Sequence, residues 1–174
     1  MRYLSLPILY LALACQLASA GTLVINDTTT GAPTWKRPFE LGTYVESFQV
    51  RFHVLEFSVS QSGSYSFNET ATWDNYTFLY QNSFDPSAPL TNFMIGNDDS
   101  NIASEGSGFN QSLVAGVNYF FISTGFNVNH YGAFTLTIDG PGEISLSPAA
   151  VPEPSTFAMG AVGAGLLVWL RRRR

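Results

Sequence analysis

Between residues 22 and 139 apolar and polar side chains alternate in short runs. Tyr65 and Phe67 are interleaved with Ser64 and Ser66, and Tyr76, Phe78 and Tyr80 with Thr77 and Leu79. Phe134, Leu136 and Ile138 are interleaved with Thr135 and Thr137. A period of two places one set of side chains on one face of an extended chain, so each run predicts a β-strand with an apolar face on a core. Phe48, Val50, Phe52 and Val54 share one phase, while Leu55, Phe57 and Val59 take the other. That fault predicts two strand pieces separated by a β-bulge or break near Val54. Turn signals divide the runs at Gln61-Ser62-Gly63, Asp85-Pro86-Ser87, Gly96-Asn97-Asp98-Asp99, Gly106-Ser107-Gly108 and Ala115-Gly116. The region is poor in the Leu, Glu, Lys and Ala that sustain helices and rich in β-branched and aromatic residues. The expectation is an all-β domain over residues 21–139, an antiparallel β-sandwich.

The pattern changes at both ends. Residues 1–20 carry Arg2, an apolar run from Leu4 to Leu17 and the small residues Ala18-Ser19-Ala20. That order predicts a secretory signal peptide, with Ala18 and Ala20 at the positions read by signal peptidase and the cut after Ala20. Residues 140–150 read as an extended linker, since four of the nine prolines lie between 140 and 155. Residues 151–174 hold Pro152-Glu153-Pro154, sixteen uncharged residues from Ser155 to Leu170, and the cluster Arg171, Arg172, Arg173 and Arg174. A helical span needs about 20 apolar residues, with about 17 as the lower bound, so this predicts a single short transmembrane helix. Arginines stay on the cytoplasmic side, which leaves the body outside the inner membrane.

Trimming changes the charge and redox character of the chain. Cys15, the only cysteine, leaves with residues 1–20, so the fold must be held without disulfides. Between Asp27 and Glu153, thirteen acidic residues face only Lys36, Arg37 and Arg51, about ten net negative charges. So acidic a body disfavours nucleic acid and anionic lipid as partners.

Candidate chemistry is sparse. The two histidines are His53 and His130, and His53 with Glu56 forms an HxxE spacing whose members point to opposite faces of a strand. There is no GxSxG elbow, HExxH pair, phosphate-cradling glycine loop or cysteine nucleophile, so no catalytic residues are assigned. The acidic turn Asn97, Asp98, Asp99, Ser100, Asn101 offers carboxylates and amides to a hard cation, which makes Ca²⁺ the one candidate cofactor. The same residues suit, in the first place, an exposed hairpin end closed by Asx-turns. Of the 21 aromatics between residues 21 and 150, most must fill the core. Trp35, Trp73 and Phe84 lie near turns and are candidates for a platform on which an extracellular polysaccharide would stack.

Two resemblances organise these pieces. The motifs Phe57-x-Val59, Gly63-x-Tyr65-x-Phe67, Asp74-x-Tyr76-x-Phe78-x-Tyr80, Asn97-Asp98-Asp99-Ser100, Leu113-x-Ala115-Gly116-x-x-Tyr119 and Gly132-x-Phe134-x-Leu136-x-Ile138 resemble, in order, the bacterial pre-peptidase C-terminal domain. That likeness implies a jelly-roll-like sandwich with an accessory role in adhesion, matrix contact or secretion, and no catalysis. The tail, with Pro152-Glu153-Pro154, the brief uncharged run and the terminal arginines, resembles the PEP-CTERM sorting signal of Gram-negative bacteria. It implies recognition by an exosortase, a membrane cysteine protease that cuts near the motif and releases or re-anchors the protein at the cell surface. The expectation is a non-catalytic exported protein of the cell surface or biofilm matrix. A Ca²⁺- or polysaccharide-binding module is the second reading, and a secreted hydrolase the third.

Overall fold

The computed structural model of the protein describes residues 20–99 and 106–147. Residues 1–19, on which the expected signal peptide falls, residues 100–105 and residues 148–174, on which the expected transmembrane helix falls, lie outside the described residues. Ten strands follow in chain order: β1 (Gly21–Thr28), β2 (Thr34–Trp35), β3 (Val50–Val59), β4 (Gly63–Ala71), β5 (Asn75–Gln81), β6 (Phe93–Asn97), β7 (Gly106–Leu113), β8 (Tyr119–Gly125), β9 (Ala133–Gly140) and β10 (Ile144–Leu146). Among the described residues there is no helix, and so none long and apolar enough to cross a membrane.

The pairing is nested. Strand β1 lies antiparallel to β9, β3 to β8, β4 to β7 and β5 to β6, so the first half of the chain is zipped against the second half in reverse. Rolling that ribbon adds the contacts β4–β9 and β5–β8 and yields two sheets. One runs β1-β9-β4-β7; the other runs β10-β3-β8-β5-β6, with β2 alongside β3. This is the double-sheet order of a jelly roll. Between the sheets the buried residues include Phe57, Tyr65, Phe67, Leu79, Phe121, Leu136 and Ile138. A second cluster lies on the other face of the larger sheet, where Trp35, Val50, Phe52, Tyr76, Phe78, Tyr80 and Ile122 are buried.

That second cluster explains the phase fault in β3 and corrects the expected break. Strand β3 is continuous, and its register with β8 runs from Phe52↔Thr124 to Phe57↔Tyr119 without a slip. Val50, Phe52 and Val54 belong to the outer cluster, and Leu55, Phe57 and Val59 to the inner one. Both faces of the strand are apolar, each in a different half. The ladder irregularity occurs instead between Leu79 and Tyr80, where β5 meets β6.

The expected linker also starts later than the proline count suggested. Strand β9 reaches Gly140, and Ile144–Leu146 pair with Phe57–Val59. The turn between them is tightly seated: Tyr65 OH donates to Gln61 O at 2.8 Å and accepts the Gly142 N–H at 3.2 Å. A Cβ on Gly140 would run into the Tyr65 ring, so only glycine fits there. The last described residue, Ser147, still donates its N–H to Glu56 O at 3.0 Å.

Candidate functional site

The acidic turn sits where β6 gives way to the crossing toward β7. Asn97 ends β6, and its side-chain amide donates to Asp99 O at 2.8 Å and to Gly108 O on β7. It thereby fastens the edge of one sheet to the edge of the other. The Asp98 Oδ1 atom is buried and has no hydrogen-bond partner among the described residues. Burial first, then the negative charges of Asp74 and Asp99, push the Asp98 carboxyl up to about 7, with Arg37 pulling the other way and Glu40 adding to the rise. Among the described residues no group of three or more His, Cys, Asp or Glu side chains is placed to hold a metal ion.

Arg37 belongs to the segment that joins β2 to β3 and covers the outer cluster. It is 2 % exposed. Its guanidinium lies 4.3 Å from the centre of the Tyr76 ring, 5.4 Å from Phe126 and 5.5 Å from Phe48. Two of its nitrogens donate to Pro38 O at 3.2 Å and Phe126 O at 3.0 Å. Ring faces and carbonyls thus do the work a carboxylate would do elsewhere.

Glu69, which sequence reasoning passed over, is fully buried between the sheets. Its Oε1 accepts from Asn75 Nδ2 at 2.9 Å and from Ser123 Oγ at 2.8 Å, while Oε2 has no partner. Burial pushes its carboxyl up to about 7 despite those two hydrogen bonds. Beside it Ser107 Oγ donates to Thr77 Oγ1 at 2.8 Å, so this end of the inner core is polar. The signal was present in the sequence: Tyr65, Phe67 and Glu69 share one phase of β4, which puts the glutamate inward.

The histidines each meet an aspartate. His53 Nε2 is 3.1 Å from Asp27 Oδ2, and His130 Nδ1 is 3.5 Å from Asp74 Oδ2. His53 shares the inward phase of β3 and lies against the Phe134 ring at 5.7 Å, whereas Glu56 is on the opposite phase and accepts from Asn118 at 3.3 Å. The HxxE pair is split across the strand, as its spacing required. Ser123 stands opposite His53 in the β3–β8 ladder, but its hydroxyl is committed to Glu69. A shallow open groove lined by Asn26, Asp27, Thr28, Thr70 and Phe134 lies beside this pair.

The aromatic candidates do not form a platform. Trp35 is buried, with its Nε1–H donated to Thr124 Oγ1 at 3.2 Å, and Phe84 packs edge-on against it at 5.4 Å. Trp73 is tied by its Nε1–H to Ala133 O at 3.0 Å and packs against the inner core. Any sugar-binding surface would have to be built without the buried Trp35 ring.

The sorting residues Pro152, Glu153, Pro154 and Arg171–Arg174 lie outside the described residues, as does Ala18; the structure supplies their point of departure at Ser147. No curated protein matches the chain. Residues 150–174 match the family model of the PEP-CTERM protein-sorting motif, a signal recognised by exosortase that implies export and delivery to the cell surface or beyond.

Proposed function

We propose that the protein is a non-catalytic component of the cell surface or of the extracellular matrix of a Gram-negative bacterium, delivered through the inner membrane and processed at its C-terminal signal. The observation that carries this reading is the sorting motif at residues 150–174, placed directly after a folded β-sandwich. The motif suits a protease substrate on physical grounds. Two prolines remove backbone donors and disfavour a helix at the residue before each, which suits a segment that a protease must bind. The uncharged run holds that offer at the membrane, and the four arginines fix its direction. In the cut, the peptide carbonyl carbon passes from its nitrogen to the exosortase thiolate sulfur, and the nitrogen leaves protonated with the arginine-bearing tail. Water or an acceptor amine then takes the acyl group from sulfur, releasing or re-anchoring the domain. The commitment of the Ser123 hydroxyl to Glu69 supports a non-catalytic body.

Replacing Pro152, Glu153 and Pro154 with alanine is expected to leave the tail on the protein and keep it with the membrane fraction. Mass spectrometry of the mature protein decides the matter, since unchanged processing and release would sink the reading. A second reading, Ca²⁺ binding at Asn97, Asp98 and Asp99, draws support from the unpartnered Asp98 Oδ1 and the like charges around it. It expects the melting temperature to rise with excess Ca²⁺ and to fall back with chelator; no shift ends it.

A further inference from the structure

We infer that the outer face of the four-stranded sheet binds an uncharged polysaccharide, seated in the groove between Asn26, Thr70 and Thr135. The surface reading above supplies only the place where such a polymer is met, and binding measured on the purified chain stands or falls apart from it.

The register of the sheet lays its outward side chains in rows. Asn26, Thr135 and Thr70 stand opposite one another across β1, β9 and β4, and Val24, Thr137 and Asn68 form the next row. Neighbouring strands lie about 4.8 Å apart and successive rows about 6.7 Å apart, so the side chains make a regular comb of hydroxyls and carboxamides. Such groups donate and accept alike, as sugar hydroxyls do. They are also short, and Ser, Thr and Asn lose less rotamer freedom on binding than the Lys and Glu of an ordinary surface. Val24, 53 % exposed, and Ala133 add apolar spots for the C–H face of a ring.

A groove of about 580 Å³ lies over one end of this face. Its walls include Asn26, Thr28, Thr70, Thr72, Ala133 and Thr135, all on the outward phase, so it opens to the outside and not into the core. That volume falls in the range of ligand sites, and the open, shallow form suits a chain that passes through more than a molecule that is enclosed. Thr135 Oγ1 donates to Asn26 Oδ1 at 2.8 Å. The bond fixes the carboxamide and turns its N–H groups to an incoming oxygen.

Charge decides the class of polymer. Strands β1, β4, β7 and β9 hold no Lys or Arg. Of their three acidic residues Glu69 is buried inward, Asp27 faces His53, and Asp139 accepts from the Thr22 hydroxyl. A polyanion would meet no cation on this face and an acidic body behind it. The same repulsion, with the scarcity of apolar side chains, disfavours a second copy of the chain. A neutral, hydroxyl-rich polymer meets neither obstacle. Each neutral hydrogen bond gains little against water, so affinity accumulates along the polymer.

The full chain, purified in a non-ionic detergent, is run in native gels cast with hydroxyethyl cellulose, laminarin, mannan or galactan, and with alginate as the anionic comparison. Retardation is expected in at least one neutral gel and not in alginate. Asn26→Ala with Thr135→Ala, and separately Thr70→Glu, are expected to weaken binding about fivefold or more across gels of rising polysaccharide content. The two changes reach the groove from different strands, and melting temperatures show which variant is folded and therefore decides. Absence of retardation in every neutral gel, stronger retardation in alginate, or wild-type retardation of a folded variant overturns the inference. Self-association in sedimentation that the same changes abolish, without retardation, assigns the face to a second copy and overturns it as well.

Discussion

The two sheets have similar inner faces and opposite outer ones. On the four-stranded sheet the outer positions are Thr22, Val24, Asn26, Ser66, Asn68, Thr135 and Thr137, and Val24 is 53 % exposed. On the larger sheet the outer positions Val50, Phe52, Tyr76, Phe78 and Tyr80 are buried under Trp35 and the segment leading to Phe48. The cause lies in the connections. The stretch from residue 29 to 49 is long enough to fold back across the sheet, and it brings Trp35 to within 5.6 Å of Phe78 and 5.5 Å of Phe52. The difference teaches that a period-two pattern identifies the apolar set on a strand, while the connecting segments decide how many faces are buried.

Removing the cover should have the largest effect. Trp35→Ala is expected to cost about 3–5 kcal/mol in denaturant unfolding, because it empties a site walled by four other rings. A loss below about 1 kcal/mol would show that the outer cluster is ornamental and the comparison empty.

A pH titration probes the interior beneath both faces. The folded Glu69 carboxyl, at about 7, lies above its ordinary value of 4.5, so the folded protein keeps a proton that the unfolded chain releases. The associated stability is complete below about pH 4.5 and is lost as the pH rises through about 7. Each pH unit within that window removes up to roughly 1.4 kcal/mol for a single such group. The melting temperature should accordingly fall between pH 5 and pH 8, and Glu69→Gln should flatten most of that slope. If the slope persists in Glu69→Gln, the half-buried Asp98 beside the covering segment is its source, since it titrates with the same sign.

The smallest effect belongs to the uncovered face. Val24→Ala should change stability by no more than about 0.5 kcal/mol by the same measurement. A larger loss would mean that this face is also packed.

Much of this architecture could be read from the chain. The alternation in β4, β5 and β9 located the strands and their apolar sets, and the Pro-Glu-Pro motif with its arginines located the sorting signal. Strand β3 was misread because alternation within one sheet face is the usual expectation, and a strand buried on both faces breaks it without any bulge. Strand β10 was hidden because three residues beside prolines carry no usable period. Arg37 and Glu69 were missed for a shared reason: a charged side chain is assumed to be solvated until the partners that let it be buried are known. Those partners come from elsewhere in the chain, Phe126 for Arg37 and Ser123 for Glu69, and no local pattern announces them.

The nested pairing also sets the order in which the fold can form. Thr22 and Asp139 share a hydrogen bond across 117 residues of sequence, and among the described strands β1 pairs with β9 alone. Contacts so distant along the chain form late, because the loop must close before the contact repays it. The β5–β6 hairpin and the short β2–β3 pairing join strands close in sequence and can form early. In a chain that becomes available from its N-terminus, β1 therefore waits for its partner, and the roll closes only once residue 140 is present. The strand that closes the roll, β9, thus lies just ahead of the residues that match the sorting motif, and the fold is completed beside that signal along the chain.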